Sequence, residues 1–519
     1  MFLSGIMIET LNWRNGWMVN EKTVKEFKAY LGKIRMYHEA MATLSFDGET
    51  VAPAGSIEAR AKRAGFFGLE VFNMTISDEM NNYLEALAPH VDTFDDVLKG
   101  EYRLAKKAYD DGTKIPAEIV REMSELQEAA AAIWAQARAE NQFEKFAPYL
   151  KRLIELQKKE VEYRSNGENP YDILLNDYED GMNMEVYDVF FDKLKKTVVP
   201  LLKRIKESNK KIDMSFVNVP VDLVSQRGIS NLIAEKMGYN LERGYIAEST
   251  HPFCNGSNKY DVRITTRYLE DDFLSSLYSI MHESGHAVYE QNVADEIAHT
   301  LLGSGASMGI HESQSRFYEN FLGRSATFWE ATHDALLKLL PDELQTITPH
   351  QFYEAVNEVK PSLIRVESDE LTYNLHIIIR YEIERMLFTE EVDVNDLPAI
   401  WNKKYEEYLG ITPPTNAEGV LQDIHWSFGA FGYFPTYALG SAYAAQIAAH
   451  MEKDLDVNAL IKAQDFGTIK EWLGEKIHQY GKTYTPNQLM EKSFGEKFNA
   501  DYYVNYLTEK YSKLYELTP

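Results

Sequence analysis

Residues 271–288 read DDFLSSLYSIMHESGHAV, and the pattern of this stretch decides the fold. Phe273, Leu274, Leu277, Tyr278 and Met281 recur three and four residues apart, the spacing of one helical face. Asp271 and Asp272 put negative charge at the helix start, where the helix dipole favours it. The stripe runs into His282-Glu283-Ser284-Gly285-His286, an H-E-x-x-H motif. At about 100° per residue the two histidines project within about 40° of each other, and Glu283 lies about 100° from the first. Two imidazoles on one face can share a cation while the carboxylate addresses a water bound to it, the zinc-hydrolase arrangement. Gly285 costs about 1 kcal/mol inside a helix, so a close neighbour is expected there.

A catalytic zinc takes a third protein ligand and keeps a fourth position open. The extended H-E-x-x-H-x-x-G-x-x-H form fails because Tyr289 and Asn292 stand at its Gly and His positions. Glu290, Glu296, His299, His311 and Glu312 all compete, and spacing does not choose among them. Glu312 opens a helix after the flexible run Gly303–Gly309, so an antiparallel return past the motif helix is feasible. Upstream, Tyr260–Arg267 alternates polar and apolar residues with β-branched enrichment, and Asn255-Gly256-Ser257-Asn258 offers a turn. A small β-hairpin is expected just before the motif helix.

Farther out, helical periodicity marks 22–45, 56–73, 97–111, 116–140, 142–166, 184–208, 222–237, 362–388, 434–453 and 500–515. The fold class is mainly α. Breakers such as Val51-Ala52-Pro53-Ala54-Gly55 and Ile411-Thr412-Pro413-Pro414 punctuate the chain without forming a linker, and no fixed repeat appears. Residues 18–519 are therefore read as one helical domain. Residues 1–17 lack the basic start and cleavage site of a secretory leader and read as an artefactual N-terminal extension.

Composition narrows the function classes. A chain of 519 residues with 45% hydrophobic and 26% charged residues suits a globular protein with a sizeable core. A net charge of −26 argues against nucleic acid or anionic membrane as partner, since both are polyanions. Nothing approaches the roughly 18 apolar residues of a membrane span. One cysteine, Cys254, precludes an intrachain disulfide and suits a reducing, cytoplasmic setting. Any metal must be held by His and carboxylates.

Around these residues the sequence resembles the carboxypeptidase Taq family of metallocarboxypeptidases. The likeness is carried by His251-Pro252-Phe253, Asp261-x-Arg263-x-Thr265, His282-Glu283-x-x-His286, His311-Glu312-Ser313-Gln314, Ile364-Arg365 through Asp369 and Thr372-Tyr373, and Gly419-x-x-Gln422-Asp423-x-His425-Trp426. Asp47, Thr50, Pro53 and Gly55 are similar to its early W-D-x-x-T-x-M-P-x-G stretch, with Phe46 and Ala52 replacing Trp and Met, and Ser368 stands where the family has Ala. The resemblance implies a two-lobed, oligopeptidase-like helical fold with a deep cleft, a homodimer, and Glu312 as the third ligand. It implies one divalent metal per chain, zinc by default with cobalt or manganese as alternatives.

The expected activity is release of C-terminal residues, with broad specificity, from peptides bearing a free carboxylate. Glu283 is the expected base. His425 and Tyr433 are the expected donors to the oxyanion, though a core polar cluster and a packed aromatic are the plainer readings. Arg365 is expected to bind the substrate carboxylate, and Asp369 and Asp423 to orient other groups, against an ordinary helical Arg365–Asp369 ion pair. His251 and Arg263 are expected at the cleft, against a rigid turn and an Asp261–Arg263 surface pair. An edge strand here also offers β-augmentation to substrate. The rivals are an endo-acting oligopeptidase or dipeptidyl carboxypeptidase, and a non-catalytic binding protein with a structural metal, for which Glu283 has no use.

Overall fold

The computed structural model describes residues 21–517; the extension read at residues 1–17 lies outside them. Helices dominate, and the periodic segments form them: Glu21–Thr50, Ala117–Glu140, Phe143–Arg164, Met184–Glu207 and Pro435–Asp454 lie close to their expected bounds. One segment departs. Residues 362–388 do not form a single helix; a short 3-10 turn, Arg365–Glu367, is followed by a helix over Glu370–Thr389. The break falls at Asp369, whose carboxylate accepts from Leu371 and Thr372 N–H and so starts the helix as an N-cap.

The buried apolar residues fall into two main cores and a small third cluster of Val293, Ile297 and Leu302. Phe27, Leu31, Ile34, Met80, Leu84, Leu87 and Leu98 make a separate cluster among the N-terminal helices. The larger core gathers nearly everything from Ile119 onward, including Leu277, Ile280 and Met281 of the motif helix, all fully buried. Burying each such side chain is worth about 1.5–3 kcal/mol, so the motif helix is held firmly by its apolar face.

The β-structure is a three-stranded sheet: β1 (Gly244–Glu248), β2 (Cys254–Asn258) and β3 (Asp261–Thr266), in the order β1-β3-β2. The expected hairpin is β2–β3, antiparallel with Cys254 opposite Ile264. Asn255–Asn258 is strand, and Lys259-Tyr260 makes the turn. β1 adds a parallel partner that local reading missed, with Gly244 opposite Val262. Alternation along β3 buries Val262 and Ile264 and leaves Asp261 and Arg263 on the other face, where Arg263 Nε and Nη2 each donate to Asp261 at 2.7 Å. The outer edge of β2 lies against the first helix: Arg35 donates to Ser257 O and Asn255 Nδ2 to Ala42 O. That cover occupies part of the edge on which β-augmentation was expected.

Candidate metal centre

Three elements build the site. The motif helix, Phe273–Gln291, begins at Asp272, which accepts from Ser275 N–H. The return helix, Met308–Arg316, is capped by Ser307 and runs into a π-helical turn over Phe317–Gly323. At Gly285 the two helices nearly touch: a Cβ there would fall 2.6 Å from Gln314 O and 2.7 Å from Ser315 Cα. The close approach expected of Gly285 is this contact. A third helix, Pro435–Asp454, backs the return helix through Gly440, whose Cβ would fall 2.4 Å from Glu312 Cγ. Glu312 is therefore wedged between helices and has little freedom to turn away.

His282 Nε2 and His286 Nε2 each lie 3.5 Å from the same oxygen, Glu312 Oε2. Ligand atoms about 2.0–2.2 Å from one tetrahedral ion stand about 3.3–3.6 Å apart, so this triangle fits a single divalent cation. The other ring nitrogens are committed. His282 Nδ1 is 2.9 Å from Glu319 Oε2, and His286 Nδ1 is 2.6 Å from His311 Nδ1, whose Nε2 is 2.8 Å from Glu290 Oε1. Both metal-facing nitrogens are thereby left as lone pairs. Arg316 Nε donates to Glu312 Oε1 and Arg316 Nη1 to Glu319 Oε2, tying the two carboxylates together. Of the five competing third ligands, Glu312 alone joins both histidines. Glu290 and His311 stand behind His286, while His299 stacks on Tyr260 away from the triangle.

The electrostatics agree with this geometry. Burial, with His311 and His282 adding to it, lowers His286 to about 3, so it stays neutral. Burial also lowers His282, but the Glu312 and Glu319 carboxylates outweigh it and the net shift is upward. Glu290 is raised by burial and lowered more by His311, Gly305 N–H and Ser304, which hold it at about 2. Burial pushes Glu283 up to about 7 against the pull of His282. Glu283 has no side-chain hydrogen bond or ion pair to a described residue, and a carboxylate poised near 7 is suited to taking and returning a proton.

Beside this triangle lies a polar cluster. Arg365 Nε and Nη2 donate to Asp423 Oδ1 at 3.1 and 2.9 Å, and Arg380 Nε donates to Asp423 Oδ2 at 2.7 Å. Two buried guanidiniums thus share one carboxylate. Gln422 accepts from Arg365 N–H and Arg380, and Arg365 Nη1 meets Tyr373 Oη at 3.1 Å. Tyr373 links the cluster to the His–Glu triangle through Arg316, whose guanidinium lies 4.8 Å from its ring centre. His425, lowered to about 4 chiefly by burial, packs against Phe434 and Tyr433, and Tyr433 lies edge-on to Tyr437 at 5.3 Å.

Two expectations need correction. Asp369 does not reach either histidine: one oxygen caps the Glu370–Thr389 helix and the other accepts from Lys360 N–H and Thr372 Oγ1. Glu319 and the His311–Glu290 pair orient the histidines instead. Nor does Arg365 pair with Asp369; its partner is Asp423. His251 is exposed on the β1–β2 loop, apart from these contacts, and Arg263 pairs with Asp261 beneath Phe46, the residue that replaces the family's Trp. Sequence reasoning assigned no role to Glu319, Arg316, Tyr373, Arg380 or Tyr437. Glu319 and Arg316 had a signal, their spacing of seven and four from Glu312.

A helical scaffold that brings an H-E-x-x-H turn and a glutamate of the next helix around one cation-sized point defines a metallohydrolase of the helical peptidase kind. Residues 26–511 match the family model of the carboxypeptidase Taq (M32) metallopeptidases. Carboxypeptidase 1 of Bacillus subtilis is 44% identical over 494 residues, 95% of this chain and 99% of the relative. Thermostable carboxypeptidase 1 of Pyrococcus furiosus is 36% identical over 94% of this chain and 98% of its own length. The solved M32 carboxypeptidase of Deinococcus radiodurans superposes with a TM-score of 0.92 at 33% identity, covering 96% of this chain and all of that one. The chain belongs to this family and is a metal-dependent carboxypeptidase. No helix among the described residues is long and apolar enough to cross a membrane.

Proposed function

We propose that the protein removes single residues from the free C-termini of peptides, with His282, His286 and Glu312 holding one zinc ion. Cobalt or manganese would fit the same donors. When bound, the cation supplies Lewis acidity and lowers the pKa of a coordinated water. Glu283 takes that water's proton and returns it to the departing amine. His425 and Tyr433 donate to the oxygen on which charge develops. Asp423 and Gln422 hold the Arg365 fork in place.

The observation that carries the C-terminal reading is the Arg365–Arg380–Asp423 cluster. Two buried guanidiniums share one directly paired carboxylate, an excess of positive charge that a peptide's terminal carboxylate would balance. Arg263 and His251 are assigned to the substrate cleft on the family resemblance. On the family resemblance alone we infer a homodimer, with residues 18–519 as one domain. The charge of −26 and the lone Cys254 support a cytoplasmic setting without nucleic-acid or membrane partners.

A mass-spectrometric time course on one peptide as free acid and as C-terminal amide tests this. Leaving a desolvated cation unpaired costs about 2–5 kcal/mol, so kcat/KM on the amide should fall roughly 30-fold to several thousand-fold. The acid should lose one residue at a time. Equal cleavage of both at internal bonds would assign an endo-acting oligopeptidase instead.

A further inference from the structure

We propose that Glu384 is a positioning residue that sets the loop carrying His425 and Tyr433 against the metal-binding face. The inference rests on the roles given to those two side chains above. Glu384 lies on the Glu370–Thr389 helix and is fully buried. No Lys, Arg or His among the described residues forms an ion pair with it; Arg380, one turn earlier, is spent on Asp423 and Gln422. A buried carboxylate without a cation is unfavourable unless hydrogen bonds satisfy it, so its donors identify what it holds.

Those donors are three. Trp426 Nε1–H donates to Oε1 at 2.8 Å, Gly432 N–H to Oε2 at 2.8 Å, and Tyr171 Oη to Oε2 at 2.9 Å. Trp426 directly follows His425, and Gly432 directly precedes Tyr433. One carboxylate therefore fastens both ends of the segment that bears the two proposed oxyanion donors.

The loop has little slack between these ties. Gly432 adopts φ +88°, and a Cβ there would fall 2.8 Å from the backbone carbonyl of Leu174. The short helix Pro170–Tyr178 is thus a backstop, sending Tyr171 to Glu384 from one end and Tyr178 edge-on to Tyr433 from the other, ring centres 5.1 Å apart. His425 depends on this support. Its Nδ1 has no hydrogen-bond partner among the described residues and its Nε2 comes only within 3.4 Å of Tyr437 Oη, so the ring inherits its direction from the loop backbone.

A tie that served folding alone would leave turnover of the folded enzyme unchanged. Glu384→Gln discriminates, because a carboxamide nitrogen cannot accept and one end of the loop loses its anchor. The measurements are metal content, KM and kcat of the holoenzyme on an N-blocked dipeptide, for E384Q, for Y171F, and for each combined with H425A/Y433F. E384Q should bind full metal and keep KM within about 3-fold, while kcat falls about 10- to 100-fold, the size of effect a misplaced group produces. In the H425A/Y433F background the same substitution should change kcat by less than about 3-fold, since the groups it positions are gone. Wild-type kcat in E384Q, or an unreduced effect in that background, overturns the proposal. Wild-type kcat in H425A/Y433F itself overturns the reading of those residues, and this inference with it. If E384Q does not fold, Y171F, which spares both loop anchors, carries the same cycle: it should lower kcat several-fold with unchanged KM, and a full-size effect without His425 and Tyr433 counts against the idea.

Discussion

Glu283 and Glu312 are both buried carboxylates within one turn of structure from the histidines, yet their surroundings push them in opposite directions. Arg316 and the two histidines outweigh burial at Glu312 and keep it ionised, as its proposed role as a ligand requires; burial wins at Glu283 and lifts it to about 7, which suits its proposed role as a proton carrier. Glu283→Gln should therefore keep its metal and lose turnover by about 10²–10⁴-fold, because the amide cannot take a proton while both imidazoles remain. Metal analysis beside kcat checks it, and a near-normal kcat would remove Glu283 from the chemistry. Glu312→Ala should do the reverse and release metal, whereas Glu290→Ala, which loses only the support behind His311, should weaken metal binding about 10- to 100-fold. Equilibrium dialysis ranks the two variants. Equal retention by Glu312→Ala and the parent would move the third ligand elsewhere. The juxtaposition of His282, Glu283 and His286 was legible in the sequence because four-residue helical spacing is a local property. Glu384 was not, because a second Glu in Tyr381-Glu382-Ile383-Glu384-Arg385 looks like any charged position on a helix, and its role appears only when Trp426 and Gly432 arrive from more than forty residues away.

At the scale of elements, the site is a stack of three helices whose separation is set by glycine. Gly285 lets the motif and return helices meet, and Gly440 lets the Pro435–Asp454 helix press on Glu312 from behind. Gly440→Ala would gain about 1 kcal/mol of helix propensity at an open site. Here the new methyl meets Glu312 Cγ and Cβ, at 2.4 and 2.5 Å before any relaxation, and overpacking of this kind costs about 1–3 kcal/mol. The expected outcome is a lower unfolding midpoint together with weaker metal binding, since the atoms displaced belong to a ligand. Loss of stability with unchanged metal affinity would show that Glu312 can shift without leaving its place. The sequence announced Gly285 through its cost in a motif helix. Gly440, inside Ala438-Leu439-Gly440-Ser441-Ala442, carried no such signal, because small residues in a run mark close packing without naming the partner. β1 stayed hidden for a related reason: its parallel partner, β3, is reached through an intervening strand, and nothing local encodes that pairing.

Across the whole molecule, periodicity located the longer helices but not Ala326–Leu337, Leu397–Leu409 or Phe466–Lys476, and the two-lobed arrangement and the cleft came only with the family resemblance. Periodicity tells which face of a helix is buried and not what it is buried against. That distinction bears on pH dependence, because the groups that titrate with folding are those buried by tertiary contacts. Glu179 is one: fully buried at the end of the Pro170–Tyr178 helix, it accepts from Ser307 Oγ and Gly309 N–H and so fastens the start of the helix that carries Glu312. Burial raises it from 4.5 to about 7 despite those bonds, and Glu384 is raised to about 7 for the same reason. An acid whose folded pKa exceeds its unfolded one binds more protons when folded between the two values. Stability from that group is therefore full below about pH 4.5 and declines as pH rises toward about 7. The shift corresponds to on the order of 3 kcal/mol for each carboxyl. A net charge of −26 adds self-repulsion in the same direction as further carboxyls ionise. The parent slope is thus a sum, and a difference isolates one group. Glu179→Gln has nothing to ionise, so denaturant unfolding of the metal-loaded protein between pH 5 and 8 should show a smaller decline in the variant than in the parent, by up to the amount above, with the two curves parallel above about pH 8. Parallel curves through the entire range would mean that Glu179 is already ionised in the folded protein at pH 5, held so by the Ser307 and Gly309 bonds more strongly than burial opposes it.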